Sequence, residues 1–143
     1  MAARYFIDGG VNSNWSTSGN WSSTDGGAAS GVKPSALDDV HFTINSPVCI
    51  IDTAGVALNI DFTGWGAKTL TMTAALVVSG NFTLVAAMTI AGTGALTINA
   101  AATLTSNGKT WPNALTFSVS STKTLADSWT VTGTFTSINT TQT

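Results

Sequence analysis

The chain has 143 residues, of which 43% are apolar and only 8% are charged, and its net charge is −2. The five basic residues are scattered, so the sequence lacks the basic stripe that nucleic acid or an anionic membrane surface would need. No apolar run approaches the roughly 18 residues of a transmembrane helix, and the single Cys49 cannot form an internal disulfide.

The residue usage favours strands over helices. All seven acidic residues are Asp, and Gly, Asn, Ser and Thr are abundant, which are residues typical of strands and tight turns. We therefore expect one all-β domain, long enough to form a core without disulfides or metals.

Residues 1–37 differ from the rest and predict a loop-rich cap or arm before a body over 38–143. Trp15 and Trp21 lie in a repeated six-residue pattern, NWSTSG then NWSSTD, followed by the Gly-rich GGAASG and Pro34. Two Trp in such a segment usually anchor loops to a core. The alternative is a pair of exposed indoles that stack on a sugar.

His41 is the only histidine, and it follows Asp38 and Asp39. Val40, Phe42 and Ile44 alternate around it, which predicts a strand with His41 on the opposite face. A metal or acid–base site would need a second His, a Glu or a thiolate pair at ligand spacing, so we predict no metal, cofactor or catalytic residue here.

The strongest pattern runs from Leu70 to Asn107 and is almost entirely a six-residue repeat. It reads LTMTAA, LVVSGN, FTLVAA, MTIAGTGA, LTINAA and ATLTSN, with two extra residues at Gly92 to Gly94. Each unit indicates a short strand followed by a corner. The segment contains no acidic and no basic residue. This argues against a carbohydrate-cleaving site within it, because such a site needs paired carboxylates.

Two architectures fit this repeat. In a short parallel β-solenoid, each unit of six is one face of a coil, about three units make a rung, and Thr points outward. In a β-sandwich or jelly roll, the same strands pair as hairpins, for which Ser79-Gly80-Asn81 would be a good turn. The fixed period favours the solenoid.

After Asn107 the repeat becomes looser. Leu115, Phe117 and Val119 form one unit, Trp129 and Phe135 fall in two more, and the chain ends in a polar tail. A short solenoid exposes strand edges at both ends. The Trp-rich segment could cap one end, but a polar tail is poorly suited to the other, so we expect contact with other subunits there.

The opening segment resembles that of a group of small bacteriophage structural proteins, which have a Thr-rich, Ala-rich β body. The motifs that carry the resemblance are Arg4-Tyr5-Phe6, Gly9-Gly10, Asn14-Trp15, Asn20-Trp21-Ser22, Gly26-Gly27, Pro34, Asp38-Asp39-Val40 and Phe42. Similar Asn-Trp and Asp-x-Val-x-Phe signatures also open repeats of bacterial surface β-helix proteins.

The resemblance implies a virion component that is made in the host cytoplasm without an export signal. It would be a capsid decoration (cement) protein, a trimer bound to the major capsid protein lattice, without enzymatic activity, cofactor, nucleic acid or membrane partner. The alternative from another class is a tail-fibre or receptor-binding module for host glycan. Its candidate contacts, whether with a glycan or with a protein partner, are Trp15, Trp21, Trp65 and Trp111.

Overall fold

The chain folds as a parallel β-solenoid of about five turns, seen in a computed structural model that describes residues 1–7, 9, 12–118 and 120–138. The all-β solenoid prediction is confirmed. Among the described strands every pairing is parallel except one, and partners come from successive turns, so the sandwich alternative is wrong. Gly10, Val119 and the polar tail beyond residue 138, which belong to the motifs and units described above, lie outside the described residues.

Each turn, here called a rung, contributes three strands. Rung one is β3 (Asp39–His41), β4 (Cys49–Ile51) and β5 (Gly55–Ala57), and rung two is β6 (Asn59–Asp61), β7 (Thr69–Met72) and β8 (Leu76–Val78). Rung three is β9 (Phe82–Thr83), β10 (Thr89–Gly92) and β11 (Leu96–Ile98). Rung four is β12 (Ala102–Thr105), β13 (Thr110–Trp111) and β14 (Leu115–Phe117), and rung five is β15 (Lys123–Leu125), β16 (Thr130–Val131) and β17 (Phe135–Ser137).

A cap precedes the rungs and is joined to rung one by backbone hydrogen bonds. It consists of β1 (Ala3–Phe6), a 3-10 turn over Ser18–Asn20, and β2 (Trp21–Ser22). Although β1 belongs to the predicted segment 1–37, it pairs in parallel with β3 of the body, and β2 then pairs antiparallel with β1. No helix in the described ranges is long and apolar enough to span a membrane.

The strands stack into three faces. Face A has the order β15-β12-β9-β6-β3-β1-β2, face C has the order β17-β14-β11-β8-β5, and face B holds the ladders β10-β7-β4 and β13-β16. Consecutive units of the six-residue repeat occupy consecutive faces: Leu70 lies on face B, Leu76 on face C and Phe82 on face A.

The rungs are longer than the 18 residues that three units of six predict. In rungs one to three the corner after face A is longer than the other two. The aligned positions of face A are 20 to 22 residues apart: Val40, Ile60, Phe82, Leu104 and Leu125.

Apolar side chains fill the interior, and Thr residues align on the outside. Leu76, Leu96 and Leu115 stack inside face C and are buried. Beside them, Thr97 and Thr116 are register partners on the outer side. β-branched side chains fit such a half-exposed pleated surface, which explains why Thr recurs between apolar residues. Ile44, expected on an apolar strand face, instead lies beyond the end of β3 and is 73% exposed.

Ser79-Gly80-Asn81 forms a corner of the solenoid, which corrects its interpretation as a hairpin turn. The Asn59 side chain accepts a hydrogen bond from the Asn81 backbone N–H (2.6 Å), and the Asn81 side chain accepts one from the Thr103 N–H (2.9 Å). These bonds join three rungs at one corner. A Cβ on Gly80 would lie 2.4 Å from Asn59 Oδ1 and 3.0 Å from the Leu58 carbonyl oxygen, so glycine is needed for close approach of the rungs.

We expect Gly80→Ala to destabilise the fold by about 1–3 kcal/mol, the usual cost of forcing an extra methyl group into a filled site. The control is Gly19→Ala, because a Cβ there meets nothing within 4 Å. The measurement is urea unfolding followed by circular dichroism. Equal stability of the two variants would contradict the close approach of rungs at this corner.

Candidate interaction site at the open end of the solenoid

The four candidate Trp residues are all buried. Trp21, Trp65 and Trp111 are 0% exposed, and Trp15 is 2% exposed. An indole that is covered on both faces has no face left for a sugar ring. This burial corrects the use of these residues as glycan or partner contacts and favours the anchoring interpretation.

The cap is held by an aromatic cluster. The Trp21 ring lies 4.7 Å from the Trp15 ring and 5.0 Å from Phe6, both edge-to-face, and Trp21 Nε1 donates a hydrogen bond to the Trp15 carbonyl oxygen (2.9 Å). Phe42 then links Phe6 to the interior of the rungs, with ring centroids 5.5 Å apart. Each indole therefore contributes buried area and, for Trp21, a satisfied N–H.

The cap covers rung one on faces A and B, and it packs an indole against the inside of face C. On face A, β1 covers β3, and the backbone of Ser30 donates to the Trp21 carbonyl oxygen (2.7 Å), so the outer side of β2 is also occupied. On face B, the Trp15 N–H donates to the Ile50 carbonyl oxygen (2.8 Å). On face C, the Trp15 indole lies against Gly55, where an added Cβ would be 3.2 Å from Cε2.

Two carboxylates fix the cap to rung one. The backbone N–H of Ser16 donates to Asp52 Oδ1 (2.9 Å), and the Ser16 hydroxyl donates to the other oxygen. The Ala2 N–H donates to Asp38 Oδ1 (3.1 Å), and Arg4 lies 3.7 Å from the same carboxylate.

These contacts change the acidity of both groups. Partial burial alone would raise the pKa of Asp52, but the hydrogen bonds from Ser16 outweigh it, so this pKa lies below its ordinary value. The pKa of Asp38 is likewise lowered, because hydrogen bonds from Ser35 and Ala2 and the charge of Arg4 outweigh the effect of burial.

His41 lies on the outer side of face A, as the alternation predicts. Its ring stacks on Tyr5, with centroids 5.1 Å apart and planes 23° apart, and Asp61 is its register partner in the next rung. Among the described side chains, no group of three His, Cys, Asp or Glu is placed to hold a metal ion.

At the second end of the solenoid, rung five is the last rung within the described residues. The interior of rung five forms a groove of about 260 Å³, lined by Leu115, Phe117, Leu125, Trp129, Val131 and Phe135. In the inner rungs the equivalent side chains are buried, whereas Leu125 is 37% exposed and Phe135 45% exposed. Ile138, just after β17, is 50% exposed. This groove is the apolar core of rung five, and no strand of the described residues lies above it.

The two charged residues of rung five are both held by their own chain. Lys123 is 0% exposed; its ammonium donates to the Ser121 hydroxyl (2.6 Å) and lies 5.7 Å from the centre of the Phe117 ring. Burial lowers the pKa of Lys123. Asp127 accepts hydrogen bonds from the backbone of Ser106 (2.8 Å) and Asn107 (2.6 Å), which lower its pKa.

Comparison of the chain with protein-family models, with curated proteins and with solved structures finds no match. The candidate site therefore depends on geometry alone. The sequence predicts an uncovered end after Asn107 but does not identify Leu125 or Phe135 as its lining. The available signal was their position in the units after Asn107, where the repeat becomes looser.

We expect the cap to loosen in acid through Asp52. Because its pKa is lower in the folded than in the unfolded state, its hydrogen bonds stabilise the fold above the unfolded pKa of about 3.9, and this contribution is lost as the pH falls through the folded value. Asp52→Asn should lower the free energy of unfolding by about 1 kcal/mol at pH 7, a modest value because the group is only partly buried.

The difference between wild type and Asp52→Asn should shrink in thermal melts as the pH falls through the unfolded pKa of about 3.9 and then through the lower folded pKa, since the carboxylate is protonated first in the unfolded and then in the folded state. Ser16→Ala provides the matched test, because it removes the hydroxyl donor to the same carboxylate. In the Ser16→Ala background, Asp52→Asn should cost less than in wild type. If the costs of the two substitutions are additive, or if the stability difference between wild type and Asp52→Asn grows in acid, the hydrogen bonds between Ser16 and Asp52 do not hold the cap.

Proposed function

We propose that this chain is a structural component of a bacteriophage virion: a head decoration protein that binds the assembled capsid lattice and stabilises it. It would be made in the host cytoplasm and become part of the particle. Its action would be mechanical and would need no cofactor or catalytic residue. The trimeric state implied by the resemblance remains a prediction.

The observation that carries the proposal is the distribution of exposed apolar side chains. Between residues 49 and 124, none of the described large apolar side chains is exposed. The exposed ones fall at the two ends of the chain: Met1, Val32, Leu37, Ile44 and Val48 in the cap, its loop and rung one, and Leu125, Phe135 and Ile138 in rung five. Such a distribution suits a rigid spacer that makes apolar contacts at both ends.

The Thr-rich outer faces support the same proposal. Their ladders are regular and uncharged from Leu70 to Asn107. A decoration protein needs a rigid body between its contacts, and the stacked rungs supply one. Many copies that bind only the assembled lattice would stabilise it by mass action, and linked copies would gain from avidity.

The resemblance of the opening segment directs the proposal to a phage head. Three of its aromatic positions, Phe6, Trp15 and Trp21, form the aromatic cluster of the cap. The glycan-binding alternative has less support, because its four candidate Trp residues are buried. A receptor-binding module would need a different surface.

We expect the purified protein to co-sediment with expanded, undecorated heads of its phage and to raise their disruption temperature. Ile44→Asp should weaken binding by about 10-fold or more, since it places a charge in an apolar contact. The matched control is Thr97→Asp, which puts the same charge on the outer side of face C in the middle rung. Binding to tails or to host polysaccharide, with none to heads, would reject the proposal.

A further inference from the structure

We propose that face B of the solenoid opens between rungs three and four, at a seam that two asparagine side chains hold together in place of backbone hydrogen bonds. Within the described residues, every other junction between neighbouring rungs is paired on all three faces, whereas here face B is divided into the ladders β10-β7-β4 and β13-β16. The seam is a conformational device in the middle of the stack, and it is independent of the proposed function.

The backbone of Ile90 faces this seam. The Thr89 N–H donates to the Lys68 carbonyl oxygen in rung two (2.8 Å), and successive residues of a strand direct their backbone groups to opposite neighbours, so the N–H and C=O of Ile90 point to rung four. Among the described residues these two groups have no hydrogen-bond partner, because β13 forms no ladder with β10. Ile90 lies in the middle rung yet is only partly buried, whereas its register partner Leu70 is fully buried. Buried peptide groups without a partner are rare, so water must reach these two.

Pro112 explains why the ladder is interrupted. The Thr132 N–H donates to the Trp111 carbonyl oxygen (3.0 Å), so the backbone groups of Trp111 face rung five. By the same alternation the nitrogen of Pro112 faces rung three, and proline has no N–H to donate. Within a sheet, proline is confined to edges, strand starts and bulges, and here it directly follows the two-residue strand β13.

The rungs on either side of the seam are bound closely to their other neighbours. At the corner between faces B and C, the N–H groups of Thr93 and Gly94 both donate to the Met72 carbonyl oxygen in rung two (2.9 and 2.8 Å). A Cβ on Gly133 in rung five would overlap the carbonyl group of Asn113 in rung four, so these two rungs are in close contact. At this corner, rungs two and three form one tight pair, and rungs four and five form another.

Two asparagine side chains bridge the seam. At the corner between faces A and B, Asn107 Nδ2 donates to the Leu84 carbonyl oxygen (2.8 Å). At the corner between faces B and C, Asn113 Nδ2 donates to the Gly94 carbonyl oxygen (3.0 Å), and Asn113 is buried. One neutral hydrogen bond at each corner stabilises this junction less than a row of backbone bonds stabilises the others. Face B is therefore where the stack opens first, while faces A and C remain paired.

Native-state amide hydrogen exchange, followed by NMR, tests the seam. The Ile90 amide should exchange at least about 100-fold faster than the Leu70 amide, since unpaired groups exchange without an opening step. Leu70 is the matched reference, because it occupies the same inward position one rung earlier and lies in the β7–β10 ladder. An Ile90 amide that exchanges as slowly as that of Leu70 would overturn the inference.

Removing either asparagine bridge should widen the opening. The amides of Leu84 and Leu96 donate across the junction of rungs three and four on the two sides of the seam, each over 2.9 Å. Asn107→Ala should speed exchange at Leu84, and Asn113→Ala should speed it at Leu96. We expect an increase of about 5-fold in each case, the ratio that corresponds to one lost hydrogen bond. Circular dichroism establishes that both variants are folded.

The controls separate opening of the seam from general loosening of the stack. Asn45→Ala removes an asparagine hydrogen bond to Asp25 in rung one and should leave Leu84 and Leu96 unchanged. The amides of Leu76 and Leu115 donate across the junctions of rungs two and three and of rungs four and five (2.9 Å each), and neither bridge variant should affect them. Equal acceleration at all four leucines, or none at Leu84 and Leu96, would overturn the inference.

Discussion

Hydrogen bonding along the stack is the constraint on which the rest of this structure depends. Each inner rung pairs with a rung on either side, as β8 does with β5 and β11, and each also covers the apolar side chains of its neighbours. A terminal rung has only one neighbour, so its outer edge and its interior both need a cover. The two ends of this chain meet that need in different ways.

At the first end the chain supplies its own cover. Trp15, Trp21 and Phe6 fill the interior above rung one, and Asp38 and Asp52 hold the covering segment in place. At the second end, Leu125 and Phe135 retain partly exposed surfaces. Burial of such a surface by another subunit would lower the free energy, and this is how the fold would serve the proposed assembly.

The sequence predicted what is encoded locally. The six-residue repeat identified the strands and their faces, because inward apolar and outward Thr residues alternate within one strand. Whether a residue lies at a covered or an uncovered end of the solenoid is not encoded within its own strand. Ile44 follows the alternation of β3 yet is exposed, and Trp65 looked available yet is buried with its N–H donating to the Pro47 carbonyl oxygen. Gly80 also reads as a turn residue, although its role depends on Asn59, which lies one rung earlier.

Electron cryo-microscopy of the purified virion tests the central claim most directly, namely that the chain acts by burying its two apolar ends in an assembly. The account predicts five-rung solenoids on the outer surface of the head, with Ile44 against the capsid lattice and the groove around Phe135 covered by another subunit. Solenoid density on the tail alone, or on the head with both ends facing solvent, would contradict it.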